Sequence, residues 1–297
     1  AGSEYNPAIC GHEWTGTISA VASDVTVVTE GDRVVVAVPP ACGRCGSCRA
    51  GHTETCSTVF AHATGRHPTA PTHGGFAKAI AVSQDRVTRI TENITDAQAA
   101  QIEPLTVTLH ATRKSGLQLG EFAVVQGAGP IGLLTTQLVR TGGAGTTVVI
   151  EPNQARRDLA LTLGADYAFH PDEAAGQVQE LTNGLGADIV YECAGVPATV
   201  QTAVDLARRG GRMCLIGLAS GPATIDPRIW LVKEIALQAA LAYTHEEFAM
   251  SMGLVADGRI NVDAMHTSTV GLDGVHDALA GLAGGAGEMK VLVDPRI

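Results

Sequence analysis

The chain has 297 residues, 45% of them hydrophobic and 17% charged; that length predicts two domains, and that composition excludes extended disorder. Twenty Lys and Arg against thirty Asp and Glu give a formal net charge of −10 with His neutral, so neither nucleic acid nor an anionic membrane surface is an expected partner. No apolar run approaches the roughly 18 residues of a membrane span, and no basic stretch leads into an apolar one at the N-terminus, so the expected location is cytoplasmic.

Taken in chain order, the first hundred residues read as β-rich. Runs at 25–28, 34–38, 76–82 and 87–90 are short and β-branched, separated by Gly, Asp and Pro, the pattern of a small barrel or meander. From about Glu121 the pattern changes. Apolar strand runs at 122–126, 146–150, 189–191 and 213–216 alternate with helical stretches, which predicts βαβ units around a parallel sheet. A helix is expected at 246–256, ended by Asp257-Gly258, and a last strand at 290–293. The fold class expected is α/β, a β-rich domain beside a doubly wound parallel sheet.

The strand at 122–126 runs into Gly127-Ala128-Gly129-Pro130-Ile131-Gly132 and then into a helical stretch. Strand, G-x-G-x-x-G and helix together make a dinucleotide-binding turn. Gly127 permits the tight turn, Gly129 admits the pyrophosphate, and Gly132 lets the helix pack on the strand, while free N–H groups at the helix start meet the phosphates. Glu151 ends the next strand, 19 positions after Gly132, where a carboxylate accepts from the adenosine ribose hydroxyls and repels a 2′-phosphate. NAD is therefore favoured over NADP, with Arg156 and Arg157 close enough to soften that choice.

Cys42, Cys45, Cys48 and Cys56 fall within fifteen residues, with Gly43, Gly46 and Gly51 between them. Four thiolates on one turning loop suit a tetrahedral zinc ion. The spacing departs from the bacterial iron–sulfur run, whose fourth Cys follows at three residues and precedes Pro. With every position filled by sulfur the ion is structural.

Gly11-His12-Glu13, Gly31-Asp32-Arg33-Val34, the cysteine loop, Gly74-Gly75-Phe76-Ala77, Glu103-Pro104-Leu105 and the glycine turn occur in one order along essentially the whole chain. This set resembles the medium-chain zinc-dependent alcohol and polyol dehydrogenases, and within them the branch of sorbitol, threonine and butanediol dehydrogenases. The resemblance implies a GroES-like catalytic domain from residues 1–105 and 243–297, with a Rossmann domain, 106–242, inserted between. It implies hydride transfer between a small alcohol, polyol or amino alcohol and NAD at a catalytic zinc, in a homodimer or homotetramer. Carried over residue by residue, His12, Glu13 and Glu103 are the catalytic zinc site. The cofactor contacts are Gly127, Gly129, Pro130, Ile131, Gly132, Glu151, Arg156, Ile216, Gly217 and Leu218, and Tyr243 lines the cleft.

The chain departs from the family pattern at two places. The cysteine ligand and the proton-relay hydroxyl, upstream of Gly-His-Glu in the family, have no counterpart here, so either the chain is a fragment of a complete enzyme or its catalytic zinc is compromised. The alternative function is then an NAD-binding pseudoenzyme keeping only the structural zinc. Ala242 stands where the sorbitol enzymes carry an arginine that holds the polyol. Cys10, Cys193 and Cys214 read as incidental or buried thiols, His62, His67 and His73 as solvated loop histidines, and His110 as a packing residue.

Overall fold

The computed structural model describes residues 11–38, 41–59, 74–284 and 287–297. The chain divides into two compact units, one of residues 1–106, 243–258 and 262–297, the other of 107–242 with 259–261. Residues 259–261 join the second unit because Asn261 N–H donates to Gln137 Oε1 at 2.7 Å and Gln137 Nε2 donates back to Asn261 O at 3.2 Å.

The second unit is built on a six-stranded sheet in the order β6-β5-β4-β7-β8-β9. The strands are β4 (Phe122–Gln126), β5 (Thr146–Ile150), β6 (Tyr167–Phe169), β7 (Ala187–Glu192), β8 (Ala207–Leu215) and β9 (Ala236–Ala239). Every pairing is parallel. Crossover helices connect the parallel strands, among them Pro130–Thr141, Gln154–Thr162, Pro171–Leu181 and Pro197–Leu206. Helices over a parallel sheet bury its strands on both faces, hence the near-continuous apolar runs. One core packs Val124, Val148, Val190 and Met213 of the sheet against Val178 and Val204 of the helices. Strand order reverses between β5-β4 and β4-β7, the kind of switch point at which open α/β sheets bind ligands.

The first unit holds an antiparallel sheet of β1 (Thr15–Thr17), β2 (Arg33–Val36) and β3 (Val87–Arg89), and a parallel pair, β10 (His266–Val270) and β11 (Lys290–Val293). The helix His245–Ala256 opens with a capping box between Thr244 and Glu247. Residues 25–28 and 76–82, expected as strands, form none. Only Val28 is buried in the first run and nothing is buried in the second; β-propensity without a buried face and a pairing partner does not make a ladder. No described helix is long and apolar enough to cross a membrane. Cys10, His62, His67 and His73 lie outside the described residues.

Candidate active site and metal centres

In the second unit a cavity of about 530 Å³ opens at the switch point, lined among others by Gly127, Gly129, Glu151, Arg156, Ala194 and Thr199. The glycine turn explains its own composition. Gly127 has φ +91°, and a Cβ there would stand 2.9 Å from Ala194 Cα. A Cβ on Gly132 would stand 1.8 Å from Gly127 O, whereas one on Gly129 meets nothing within 4 Å, so the backbone there is open to close approach. Pro130 begins the helix, where its missing N–H costs nothing.

Glu151 is buried, and both its oxygens are engaged: Oε2 accepts from Ala128 N–H at 2.8 Å and Oε1 from Asn153 N–H at 2.9 Å. It ties the glycine turn to the loop after β5 and keeps lone pairs for ribose hydroxyls. Arg156 lines the cavity, while Arg157 donates to Glu151 O and Pro152 O at 2.6 and 2.8 Å. Pro130, Ile131, Gly132, Ile216, Gly217 and Leu218 are not among the lining residues. The loop after β8 is instead fixed by Ile216 N–H and Gly217 N–H donating to Glu192 O at 3.0 and 2.9 Å. Thr199 and Glu192 escaped the sequence reading; the available signal was an acid ending a core strand ahead of Cys193-Ala194-Gly195.

In the first unit the four thiols converge around the one-turn helix Gly46–Arg49, with all their Sγ atoms within 4.8 Å of one another. Sγ separations are 4.0 Å for Cys42–Cys48, 3.4 Å for Cys45–Cys48 and 3.9 Å for Cys45–Cys56. Zn–S bonds of about 2.3 Å at tetrahedral angles require sulfur separations of about 3.8 Å, so the set fits zinc. Local contacts already distinguish the sulfurs. A hydroxyl bond from Thr58 and backbone N–H bonds from Arg44 and Cys45 push Cys42 down to about 5, while burial and the neighbouring thiols push Cys48 up to about 12.

His12, Glu13 and Glu103 also place one ligand atom each within 4.8 Å of one another. Gly11, at φ +91°, turns the chain into His12, and its carbonyl accepts from Gly75 N–H at 3.0 Å. A side chain at Gly75 would stand 2.7 Å from Trp14 Cβ, which accounts for the glycine there. Glu103 lies in the first turn of the helix Ile102–Lys114, a favourable end for a carboxylate. His12 Nε2 stands 3.9 Å from Glu103 Oε1, with the imidazole half exposed and the carboxylate buried. Burial, and then the charge of Glu13, push Glu103 up to about 8 against the pull of Tyr243 and Lys290. Glu13 is ion-paired with Lys290. Two carboxylates and an imidazole, one acid buried beside the other, form a donor set that suits a divalent cation.

The structure puts Tyr243 at this cluster. Its buried hydroxyl accepts from Val38 N–H at 3.1 Å and hydrogen-bonds Glu103, and its ring packs on Phe248 at 5.7 Å between centroids. His110 is buried, as expected of a packing residue, and so is Cys214.

Comparison with known proteins gives these sites their context. The alcohol dehydrogenase GroES-like domain matches residues 2–92 and the zinc-binding dehydrogenase family matches residues 130–257. The chain is 32% identical over 289 residues to 2-dehydro-3-deoxy-L-galactonate 5-dehydrogenase of Pseudoalteromonas atlantica, spanning 97% of this chain and 83% of that protein. It is 32% identical over 276 residues to sorbitol dehydrogenase of Bacillus subtilis, spanning 92% and 76%. A zinc-binding dehydrogenase of Sinorhizobium meliloti, solved with NADP bound, superposes with a TM-score of 0.87 at 31% identity, over 98% of this chain and 85% of that one. With a GroES-like domain, a parallel-sheet NAD-binding domain and a cysteine cluster fit for zinc, the chain belongs to the medium-chain zinc-dependent alcohol and polyol dehydrogenases.

Proposed function

We propose that this dehydrogenase transfers hydride between NAD and a small secondary alcohol, polyol or amino alcohol at His12, Glu13 and Glu103, while Cys42, Cys45, Cys48 and Cys56 hold a structural zinc. One observation carries the site assignment: His12 and Glu103, far apart in sequence, converge on a single point with one buried and one accessible donor. Zinc held there would supply a Lewis acid for the substrate oxygen, and NAD held in the second unit's cavity would supply the hydride acceptor.

The chain's own residues do the rest. His12 and Glu103 hold the ion, and the carboxylate of Glu13 closes the set while Lys290 balances its charge. Tyr243 donates to Glu103 and fixes its orientation. The turn from Gly127 to Gly132 receives the pyrophosphate, and Glu151 meets the ribose and disfavours a 2′-phosphate by charge. The relatives named for 2-dehydro-3-deoxy-L-galactonate and sorbitol support a polyhydroxylated substrate.

Elemental analysis after exhaustive dialysis, paired with NAD reduction over a panel of diols, sugar alcohols and amino alcohols, tests the assignment. The parent is expected to carry two zinc ions per chain. Glu103→Ala should lose one of them along with turnover; unchanged turnover rejects the site. One zinc in the parent, with NADH binding and no turnover, favours the pseudoenzyme instead.

The same reading includes a second copy of the chain. β9 ends the sheet, and no strand pairs with its outer side among the described residues. Leu231, Val232, Leu237 and Leu241 on and around it are exposed. An open apolar edge of this kind suits pairing with the same edge of a second copy about a two-fold axis. A homodimer, or a homotetramer of such dimers, is expected by sedimentation, and Leu237→Asp should lower its mass.

A further inference from the structure

Glu192 is fully buried at the C-terminal end of β7, yet neither zinc site nor the hydride step uses it. Its Oε1 accepts three hydrogen bonds, from Ala194 N–H and Gly195 N–H at 2.9 Å each and from the Thr199 hydroxyl at 2.7 Å. Its Oε2 has no hydrogen-bond partner and would stand 2.5 Å from a Cβ on Gly217. Its main-chain oxygen accepts from both Ile216 and Gly217. Five hydrogen bonds thus converge on one residue, tying the loop after β7 to the loop after β8. A carboxylate buried with two main-chain donors, one hydroxyl and an unpartnered oxygen is a costly way to build a turn. What it organises is specific: Cys193, Ala194, Val196 and Thr199 form one wall of the 530 Å³ cavity.

We propose that Glu192 is a positioning residue of the cofactor site. It touches no cofactor itself. Its Oε1 sets the backbone of Ala194 and Gly195 and the side chain of Thr199, and its Oε2 keeps position 217 a glycine so that the two loops close on each other. This rests on the reading of the cavity as the dinucleotide site. Glutamine has the right shape and the wrong polarity. Either its amide turns donors toward Ala194 and Gly195, or it buries them against Gly217; both arrangements displace the wall.

The experiment titrates NADH, followed by nicotinamide fluorescence, into the parent, Glu192→Gln and Thr199→Ala, and records steady-state rates and zinc content for each. Removing a bond to a buried carboxylate should raise the NADH dissociation constant about tenfold or more in Glu192→Gln and about threefold in Thr199→Ala. In Glu192→Gln the KM for NAD should rise in parallel, with kcat, the KM for the alcohol and zinc content unchanged. NADH affinity within about twofold of the parent, whatever happens to the melting temperature, overturns the proposal by making Glu192 a purely structural group. Should Glu192→Gln not fold, Glu192→Asp decides in the same way, since it keeps the carboxylate and withdraws it from Ala194 and Gly195. A parent that binds no NADH fails the cofactor reading itself, a result distinct from equal binding by parent and variants.

Discussion

The two candidate metal clusters of the first unit are built in opposite ways. The thiol cluster comes from one loop of fifteen residues and can close as soon as that loop turns. The His12, Glu13 and Glu103 cluster draws on the turn after Gly11 and on the first turn of a helix beginning at Ile102, so it exists only once the unit has folded. Their electrostatics differ accordingly. In the loop, local hydrogen bonds push Cys42 down, while burial and the neighbouring thiols push Cys48 up. The second cluster raises Glu103 by burial. One candidate site is complete within a single loop, and the other depends on segments that only the folded unit brings together.

The sharpest way to break that contrast is at Cys48. Without its fourth sulfur the loop has no core of its own, since only Cys56 of the four is buried. Structural zinc supplies folding free energy outright. Cys48→Ala should release one zinc and lower the melting temperature by about 10 °C or more. Calorimetry with a zinc count checks this. A Cys48→Ala protein that melts like the parent removes the distinction.

Next in size is the pH dependence at Glu103. Its folded value, about 8, lies above that of an unfolded glutamic acid. In the zinc-free chain the neutral acid's contribution is therefore fully present below about 4.3 and is lost as pH rises through about 8, at up to about 1.4 kcal/mol per pH unit from this one group. Glu103→Gln, neutral at every pH, should flatten that slope in urea unfolding of the zinc-free protein. Zinc reverses the preference, because only the carboxylate ligates. Affinity at this site should rise by up to about tenfold per unit between pH 6 and 8, with one proton released on binding. Calorimetry in buffers of different ionisation heat measures that proton, and zinc uptake without its release at pH 7 places the pressure on some other group.

How much of this was legible in the sequence follows from the same contrast. The thiol loop was readable from spacing alone, because its donors are sequence neighbours and glycines supply the turns. The glycine turn was readable because Gly127 and Gly132 are forced by contacts to Ala194 and to the turn itself, leaving few other residues possible there. His12 and Glu103 became a site only through resemblance, since nothing local to either predicts a partner 91 positions away. The strand expected at 76–82 failed for the converse reason, having β-branched residues and no buried face. Glu192 was overlooked because its work is done on the backbone of two separate loops, and backbone partners leave no pattern in side-chain spacing.

Tyr243 gives the smallest and most discriminating effect. Its hydroxyl sits between Val38 N–H and Glu103, so Tyr243→Phe removes one donor to the carboxylate and leaves one N–H without its acceptor, while the ring keeps its packing on Phe248. That bond lowers the Glu103 value, so losing it moves the value upward from about 8 and leaves less carboxylate available at neutral pH. Zinc at the second cluster should bind about tenfold more weakly at pH 7, within the range typical of losing an outer hydrogen bond to a ligand, and most of the deficit should vanish by pH 9. The thiol cluster should be untouched. A deficit that persists unchanged at pH 9 means that Tyr243 aims the carboxylate without tuning its proton. No deficit at any pH separates it from the metal altogether and leaves it a core residue that meets Glu103 by proximity alone.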